Sequence, residues 1–198
     1  LLSLAPFLLV MVTSFTRIIV VLHFVRSALG TQTSPPNQVL IGIALFLTLF
    51  IMAPVMTQIN KDCIQPYDKG KLTQEEALNA GLKPIRKFMF EQTNRKDIRL
   101  FMEIEKQSND VSIEKEDEIP TLVLIPAFMI SELRIAFIIG FLIYLPFIVI
   151  DMVVASTLMS MGMMMLPPTT ISMPFKILLF VLADGWNLVI GQLVKTFY

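Results

Sequence analysis

The sequence holds one cysteine, one histidine and one tryptophan in 198 residues. Cys63 alone makes no intrachain disulfide, and with His23 as the only histidine there is no Cys/His cluster of the kind that holds zinc, so disulfide-stapled and zinc-built architectures are excluded. No nucleophile stands in a recognisable pattern with a base. Gly70-Lys71 is followed by Leu72 and lacks the upstream glycine of a phosphate-binding loop. An enzyme is therefore not expected, nor a cofactor or a metal. A basic stripe interleaved with aromatics is missing too, which argues against nucleic acid as a partner. Charge is scarce over most of the chain: residues 60–119 carry 24 of the 32 Asp, Glu, Lys and Arg residues, and the other 138 positions carry 8.

Apolar residues are what the chain has in abundance. They make up 55% of it, with a mean hydropathy of +0.70, a membrane-type composition. The charge segregation divides the chain into three parts: apolar helices over residues 1–59, a polar helical module outside the membrane over residues 60–119, and apolar helices again over residues 120–198. The expected fold is all-α, a polytopic membrane protein with bent or hairpin apolar helices.

The chain opens within an apolar run with no initiator Met and no basic segment ahead of it, so its true start is expected upstream, processed or left out. Residues 1–25 are long enough to span a bilayer but contain Arg17, an insertion cost of about 2.5–3.5 kcal/mol at depth. Arg17 either snorkels to the headgroups or is buried against protein. Gly30 to Asn37 is turn chemistry, and residues 39–59 form a charge-free spanning segment kinked by Pro54. The loop before it carries Arg26 and no acid, which favours the cytoplasmic side and places the polar module outside.

Within that module Thr73-Gln74-Glu75-Glu76 reads as a capping box opening a helix that Gly81 ends. Pro84 opens the next, with Ile85, Phe88, Met89 and Gln92 on one face. Thr93 or Asn94 caps a third with Ile98, Phe101, Met102 and Glu105 on a face. Ser108 to Glu118 reads as an acidic loop. Pro120 and Pro126 interrupt the return to apolar sequence. Residues 135–166 then run with Asp151 as their one charge, too long for one straight span at 1.5 Å per residue, so Pro146, Asp151 and Gly162 are expected to bend the helix or double it back. Residues 177–194 read as the last apolar helix, with Asp184 at its middle.

Between Met159 and Met165 five of seven residues are methionine, and Pro167-Pro168 follow. Methionine is flexible and polarizable, so the stretch reads as a soft apolar loop at a helix end, with Gly162, Pro167 and Pro168 breaking the helix around it. Such methionines can fill gaps between helices, ligate Cu(I), or form a deformable surface. The charges Glu132, Arg134, Asp151, Lys176 and Asp184, with Arg17, lie in apolar sequence, and Arg134, Asp151, Asp184 and Arg17 are expected to be buried charges. Ionisable groups there pair with one another or line a watery path, which argues for assembly.

The segments Thr13-Ser-Phe-Thr-Arg-Ile-Ile-Val, Ala28-Leu-Gly-Thr, Pro35-Pro-Asn-Gln-Val-Leu-Ile-Gly and Phe50-Ile-Met-Ala-Pro resemble the FliP family of flagellar type III secretion export gate proteins. So do Ile130-Ser-Glu-Leu-Arg-Ile-Ala-Phe, Leu145-Pro-Phe-Ile-Val-Ile-Asp, Met161-Gly-Met-Met-Met-Leu-Pro-Pro, Pro174-Phe-Lys-Ile and Asp184-Gly-Trp. The likeness covers residues 13–55 and 124–193; in the polar module it is limited to patches such as Phe88-Met-Phe-Glu-Gln-Thr.

The resemblance implies a protein of the bacterial cytoplasmic (inner) membrane at the flagellar basal body, a homo-oligomer of about five copies in a helical or ring-like pore. With FliQ and FliR it would form the channel for unfolded flagellar export substrates, alongside FlhB and FlhA and in contact with membrane lipid. By the same resemblance Met163, Met164 and Met165, with Met161, form the gasket of the closed pore. Glu132 and Lys176 are the candidate charge contact between subunits. Arg134 stands where relatives often carry lysine. Two alternatives stay open: an export gate subunit of the injectisome (the SctR homologues), and a small-solute or Cu(I) permease with methionine ligands. For a copper path Cys63 and His23 lie outside the methionine stretch.

Overall fold

The computed structural model describes residues 10–106, 119–163 and 165–198. The acidic stretch from Ser108 to Glu118 and Met164 lie outside them. Among the described residues all regular structure is helical: α1 Phe15–Ala28, α2 Asn37–Ile59, α3 Gln65–Asp68, α4 Gln74–Gln92, α5 Arg95–Lys106, α6 Thr121–Ser160, α7 Pro168–Leu182 and α8 Gly185–Lys195. The chain forms an all-α polytopic membrane protein: Asn37–Asp68 and Thr121–Ser160 are each long and apolar enough to cross a bilayer, and the bent pair α7–α8 is a third candidate. It packs as two compact units, one of residues 1–16 and 48–134, the other of residues 17–47 and 135–198, so α2 and α6 each contribute to both.

Several helix boundaries differ from the sequence expectation, and proline and glycine account for most of them. The apolar run at the start is interrupted at Thr13–Ser14, where the Phe15 amide donates to Thr13 Oγ1 (3.4 Å) just before α1. Beyond Ile59 the chain stays helical through a π-helical turn, Asn60–Ile64, into α3. Gly81 does not end α4, and Pro84 lies inside it. A Cβ on Gly81 would sit 3.3 Å from Cys63 Sγ, so this glycine serves close approach to the π-helical turn. Pro54 and Pro126 likewise lie within helices, and α6 runs through Pro146 and Asp151 for 40 residues before it breaks at Gly162. Proline in a helix interior costs about 3 kcal/mol, yet in a bilayer any other backbone conformation leaves several polar groups unsatisfied, so the helix continues.

In the first unit the capping box forms: the Glu76 amide donates to Thr73 Oγ1 (3.4 Å), while Glu76 Oε2 accepts from the Thr73 amide (2.8 Å) and hydroxyl (2.9 Å). Phe88 and Met89 of α4 are buried, as are Ile98 and Met102 of α5; Ile85, Gln92 and Phe101 are half-buried and Glu105 is exposed. The Phe88 ring meets Phe128 of α6 edge-on at 6.0 Å. Asn94 caps α5 by accepting from the Lys96 amide at 3.0 Å. Arg86 donates to the Ile119 carbonyl (2.6 Å) and to Thr121 Oγ1, holding the start of α6 against α4.

The second unit has a core of Val25, Ala28, Leu29, Phe147 and Phe180, with Trp186 and Tyr144 packed on it. Two glycines permit it. A Cβ on Gly140 would fall 2.4 Å from the Phe24 ring, and one on Gly185 would fall 2.4 Å from the Phe180 ring. The last apolar segment is broken at Ala183–Asp184, with α7 and α8 at 65°. Asp184 takes a left-handed conformation (φ 49°, ψ 48°), one that Asp tolerates better than most residues because its short polar side chain can bond locally.

Candidate functional site: a methionine turn above a buried ion pair

The helix expected to end at two prolines ends earlier. α6 stops at Ser160; Gly162 turns the chain at φ +74°, and the Met163 amide closes back on the Leu158 carbonyl at 3.0 Å. A Cβ on Gly162 would meet nothing within 4 Å, so glycine is required there for its dihedral rather than for space. Pro167 and Pro168 start α7 instead of stopping α6. Pro167 is the N-cap, its carbonyl accepts from the Thr170 amide (3.1 Å), and Pro168 is the first helical residue, where a missing N–H costs nothing. Met161, Met163 and Met165 thus occupy the turn between two helices. Met161 is 71% exposed and Met165 99%; Met159 and Met163 are also exposed.

Beneath the turn the hairpin is tied by charge. Lys176 Nζ of α7 lies 2.6 Å from Asp151 Oδ2 of α6, and Ser172 Oγ donates to Asp151 Oδ1 at 2.5 Å. Lys176 is buried and Asp151 is half-buried, so the ammonium is neutralised inside the chain. Each carboxylate oxygen has a donor. This arrangement turns a charge in an apolar helix into a fixed crosslink between the helices that carry the turn.

Arg17 is buried, 1% exposed, which decides between the two readings of it. Its guanidinium donates to the Thr196 carbonyl (3.1 Å) and hydroxyl (3.0 Å) and stacks over the Phe197 ring at 3.9 Å. A cation is thereby placed at the carbonyl end of α8, where the helix dipole favours it.

Arg134 and Asp184 depart from the expectation of buried charge: both are exposed in the chain. Arg134 Nη2 reaches Asp97 at 2.6 Å and leaves its other face to solvent. Asp184 sits in the break before α8, where its carboxylate accepts from Asn187 Nδ2 (3.0 Å). Glu132 is fully buried in the first unit, next to Ser131, and Lys176 belongs to the second unit with Asp151 as its partner.

Sequence reasoning missed three partners. Asp97, buried, accepts from Ser131 Oγ (2.7 Å) as well as from Arg134, and Ser131 Oγ in turn accepts from the Asn94 amide (2.9 Å). Ser172 and the Thr196–Phe197 pair were the others. One signal was available for Asp151 and Lys176. Asp151 precedes the end of α6 by nine residues and Lys176 follows the start of α7 by eight, so an antiparallel hairpin puts them at nearly the same level, about 12–14 Å from the turn.

The sequence pattern that defines the FliP family matches residues 1–193. The flagellar biosynthetic protein FliP of Bacillus subtilis (strain 168) is 54% identical over 195 residues, covering 98% of this chain and 87% of the relative. That of Pectobacterium carotovorum subsp. carotovorum is 49% identical over 197 residues, 100% of this chain and 75% of the relative. That of Caulobacter vibrioides is 52% identical over 196 residues, 99% and 73%. With the family pattern matched over nearly its whole length, the chain that builds this methionine turn on two apolar helices belongs to the FliP family.

Proposed function

We propose that this chain is a core subunit of the flagellar type III protein export gate in the bacterial inner membrane, forming with FliQ and FliR the channel for unfolded flagellar proteins. One observation carries the reading: Met161, Met163 and Met165 stand exposed on a glycine turn whose two helices are fastened by Asp151, Ser172 and Lys176. A conduit must stop ions at rest and still pass side chains of every size, so its constriction has to be apolar, deformable and indifferent to sequence. Thioether side chains meet those demands. About five copies around an axis would bring the turns together into a plug that gates by excluding water. Met161, Met163, Met164 and Met165 are the plug residues, and Gly162, Pro167 and Pro168 shape the turn.

In this reading Glu132 and Lys176 are the candidate charge contact between copies, a pairing that requires assembly to uncover both, since Glu132 is fully buried and Lys176 is held by Asp151 within the chain. Exposed apolar faces of α2 and α6, including Phe46, Phe50 and Phe141, are covered by lipid or by neighbouring subunits. FlhB and FlhA are the further partners, and the polar module stands outside the membrane. The names of the relatives, which tie them to flagellar biosynthesis, support the assignment.

The test is co-expression with FliQ and FliR in cells that lack their own FliP. The reading predicts a detergent-stable complex of all three and restored secretion of flagellar subunits. A chain that inserts into the membrane but recovers neither is not a gate subunit. In the same cells, a cysteine at Lys71 in a Cys63-free background should react with an impermeant thiol reagent added outside; reaction only after permeabilisation would reverse the topology.

A further inference from the structure

His23 has no part in the reading above. It lies on α1, one turn before Arg26, and the two share a contact: Arg26 Nη2 is 2.9 Å from His23 Nδ1. The same guanidinium donates through Nη1 to Asn37 Oδ1 (2.6 Å) and to the Pro35 carbonyl (3.3 Å). Arg26 therefore bridges the last turn of α1, the connecting loop and the first residue of α2. The loop is drawn in from its other side as well, because Thr31 Oγ1 lies within donor distance of the Arg26 carbonyl (3.2 Å) and the Ser34 carbonyl (2.5 Å).

An arginine side chain has donors only, so Nδ1 must be the bare acceptor and the ring must be neutral with its proton on Nε2. The acceptors around Arg26 are all uncharged. No Asp or Glu precedes Asp62 in the chain, so no carboxylate in the loop or in either flanking helix can offset a second cation. Of the other charged groups of this unit, Arg17 engages Thr196 and Phe197, Lys176 engages Asp151, Asp184 engages Asn187, and Lys195 lies in the last turn of α8. Arg26 is the charged group in contact with the His23 ring.

We propose that His23 and Arg26 form a pH-operated latch on the loop between α1 and α2. With His23 neutral, its Nδ1 helps hold the guanidinium across the loop and Arg26 pins Pro35 and Asn37. Protonation of Nδ1 removes that acceptor and sets an imidazolium against a guanidinium at contact distance. Arg26 then swings away, and the loop loses its tie to α1. The sign is fixed by the chemistry: the latch holds while the ring is neutral and opens on acidification, as the ring takes up its second proton. The loop residues freed are 30–36, with Gln32 and Thr33 already exposed.

Because His23 is the only histidine of this chain, imidazole labelling with nitrogen-15 reports on this ring alone when the chain is placed in nanodiscs. At pH 7.5 the spectrum should show the Nε2-protonated tautomer; a proton on Nδ1 at that pH would overturn the proposal. The second readout is a nitroxide at Gln32 in a Cys63→Ser background, followed by electron paramagnetic resonance from pH 8 to 5. Its motion should increase in one transition that coincides with protonation of the ring. In His23→Gln, whose amide oxygen accepts from Arg26 at every pH, the label should stay immobile throughout; in His23→Lys it should be mobile throughout. A pH-independent spectrum in the parent chain, or the same transition retained in His23→Gln, would overturn it. Should either variant fail to fold, the ring tautomer and the parent chain's transition decide the matter.

Discussion

Asp151 on α6 and Lys176 on α7 meet at 2.6 Å although 25 residues separate them, and the exposed methionines lie on the turn that joins their helices. The pair sets how firmly the turn is held. Removing one partner leaves a charge in an apolar contact, a loss of about 3–5 kcal/mol for a fully buried pair and less here because Asp151 keeps 25% of its side-chain exposure. Lys176→Met and Asp151→Asn should each lower the thermal stability of the purified chain, and the joint replacement should recover much of the loss. Additive losses in the double variant would show that the two do not act as a pair.

Ser131 holds both ends of another polar junction, between the start of α5 and α6. Ser131→Ala removes the acceptor of the Asn94 amide and one donor to the buried Asp97 carboxylate, a cost of about 1–3 kcal/mol. Hydrogen exchange should quicken in the first turn of α5 and leave α7 and α8 unchanged. Unaltered protection of the Asn94 amide would mean the contact contributes nothing.

Glu76 makes the polar module sensitive to acid. The backbone N–H and hydroxyl of Thr73 hold its carboxyl below the ordinary value of 4.5. A depressed folded value means that the capping box stabilises fully above pH 4.5 and that this contribution is lost as the pH falls through the lower folded value. Amide exchange at Glu76 and Ala77 should accelerate over that window, and Glu76→Gln should weaken the dependence. Equal pH profiles in the two chains would remove Glu76 from the account.

Gly140 and Gly162 should respond to substitution for different reasons. A Cβ at Gly140 runs into the Phe24 ring, so Gly140→Ala forces repacking and should cost about 1–3 kcal/mol. Gly162 has open space but a positive φ, so Gly162→Asn should be tolerated better than Gly162→Ala, by about 1 kcal/mol. Melting temperatures of the three variants would check the order.

Much of this was legible in the residues. The Thr73–Glu76 box, the buried faces of α4 and α5 and the apolar helices were readable because each follows from local spacing. Helix ends were not: Pro126 and Pro146 break helices in water but lie within an apolar one here, and Pro84 was read as the start of a helix that begins ten residues earlier, at Gln74. Gly81 was read as a stop, whereas its missing side chain makes room for Cys63. Pro167 and Pro168 were assigned to the wrong helix because proline's rules differ at the two ends. Asp97, Ser172 and Thr196 could not be singled out: each is an ordinary polar residue until the fold brings a charge to it.

The central claim is that the methionine turn seals a resting channel, and ion conductance across the membrane of cells carrying the assembled complex tests it most directly. Met163, Met164 and Met165 replaced together by alanine leave Asp151, Ser172 and Lys176 untouched, so the complex should assemble at the same level as the parent. The account predicts a resting leak of ions through the triple variant, poor growth, and secretion reduced less than the seal. Equal resting conductance in parent and variant, at equal assembly, would contradict it and leave these methionines as packing.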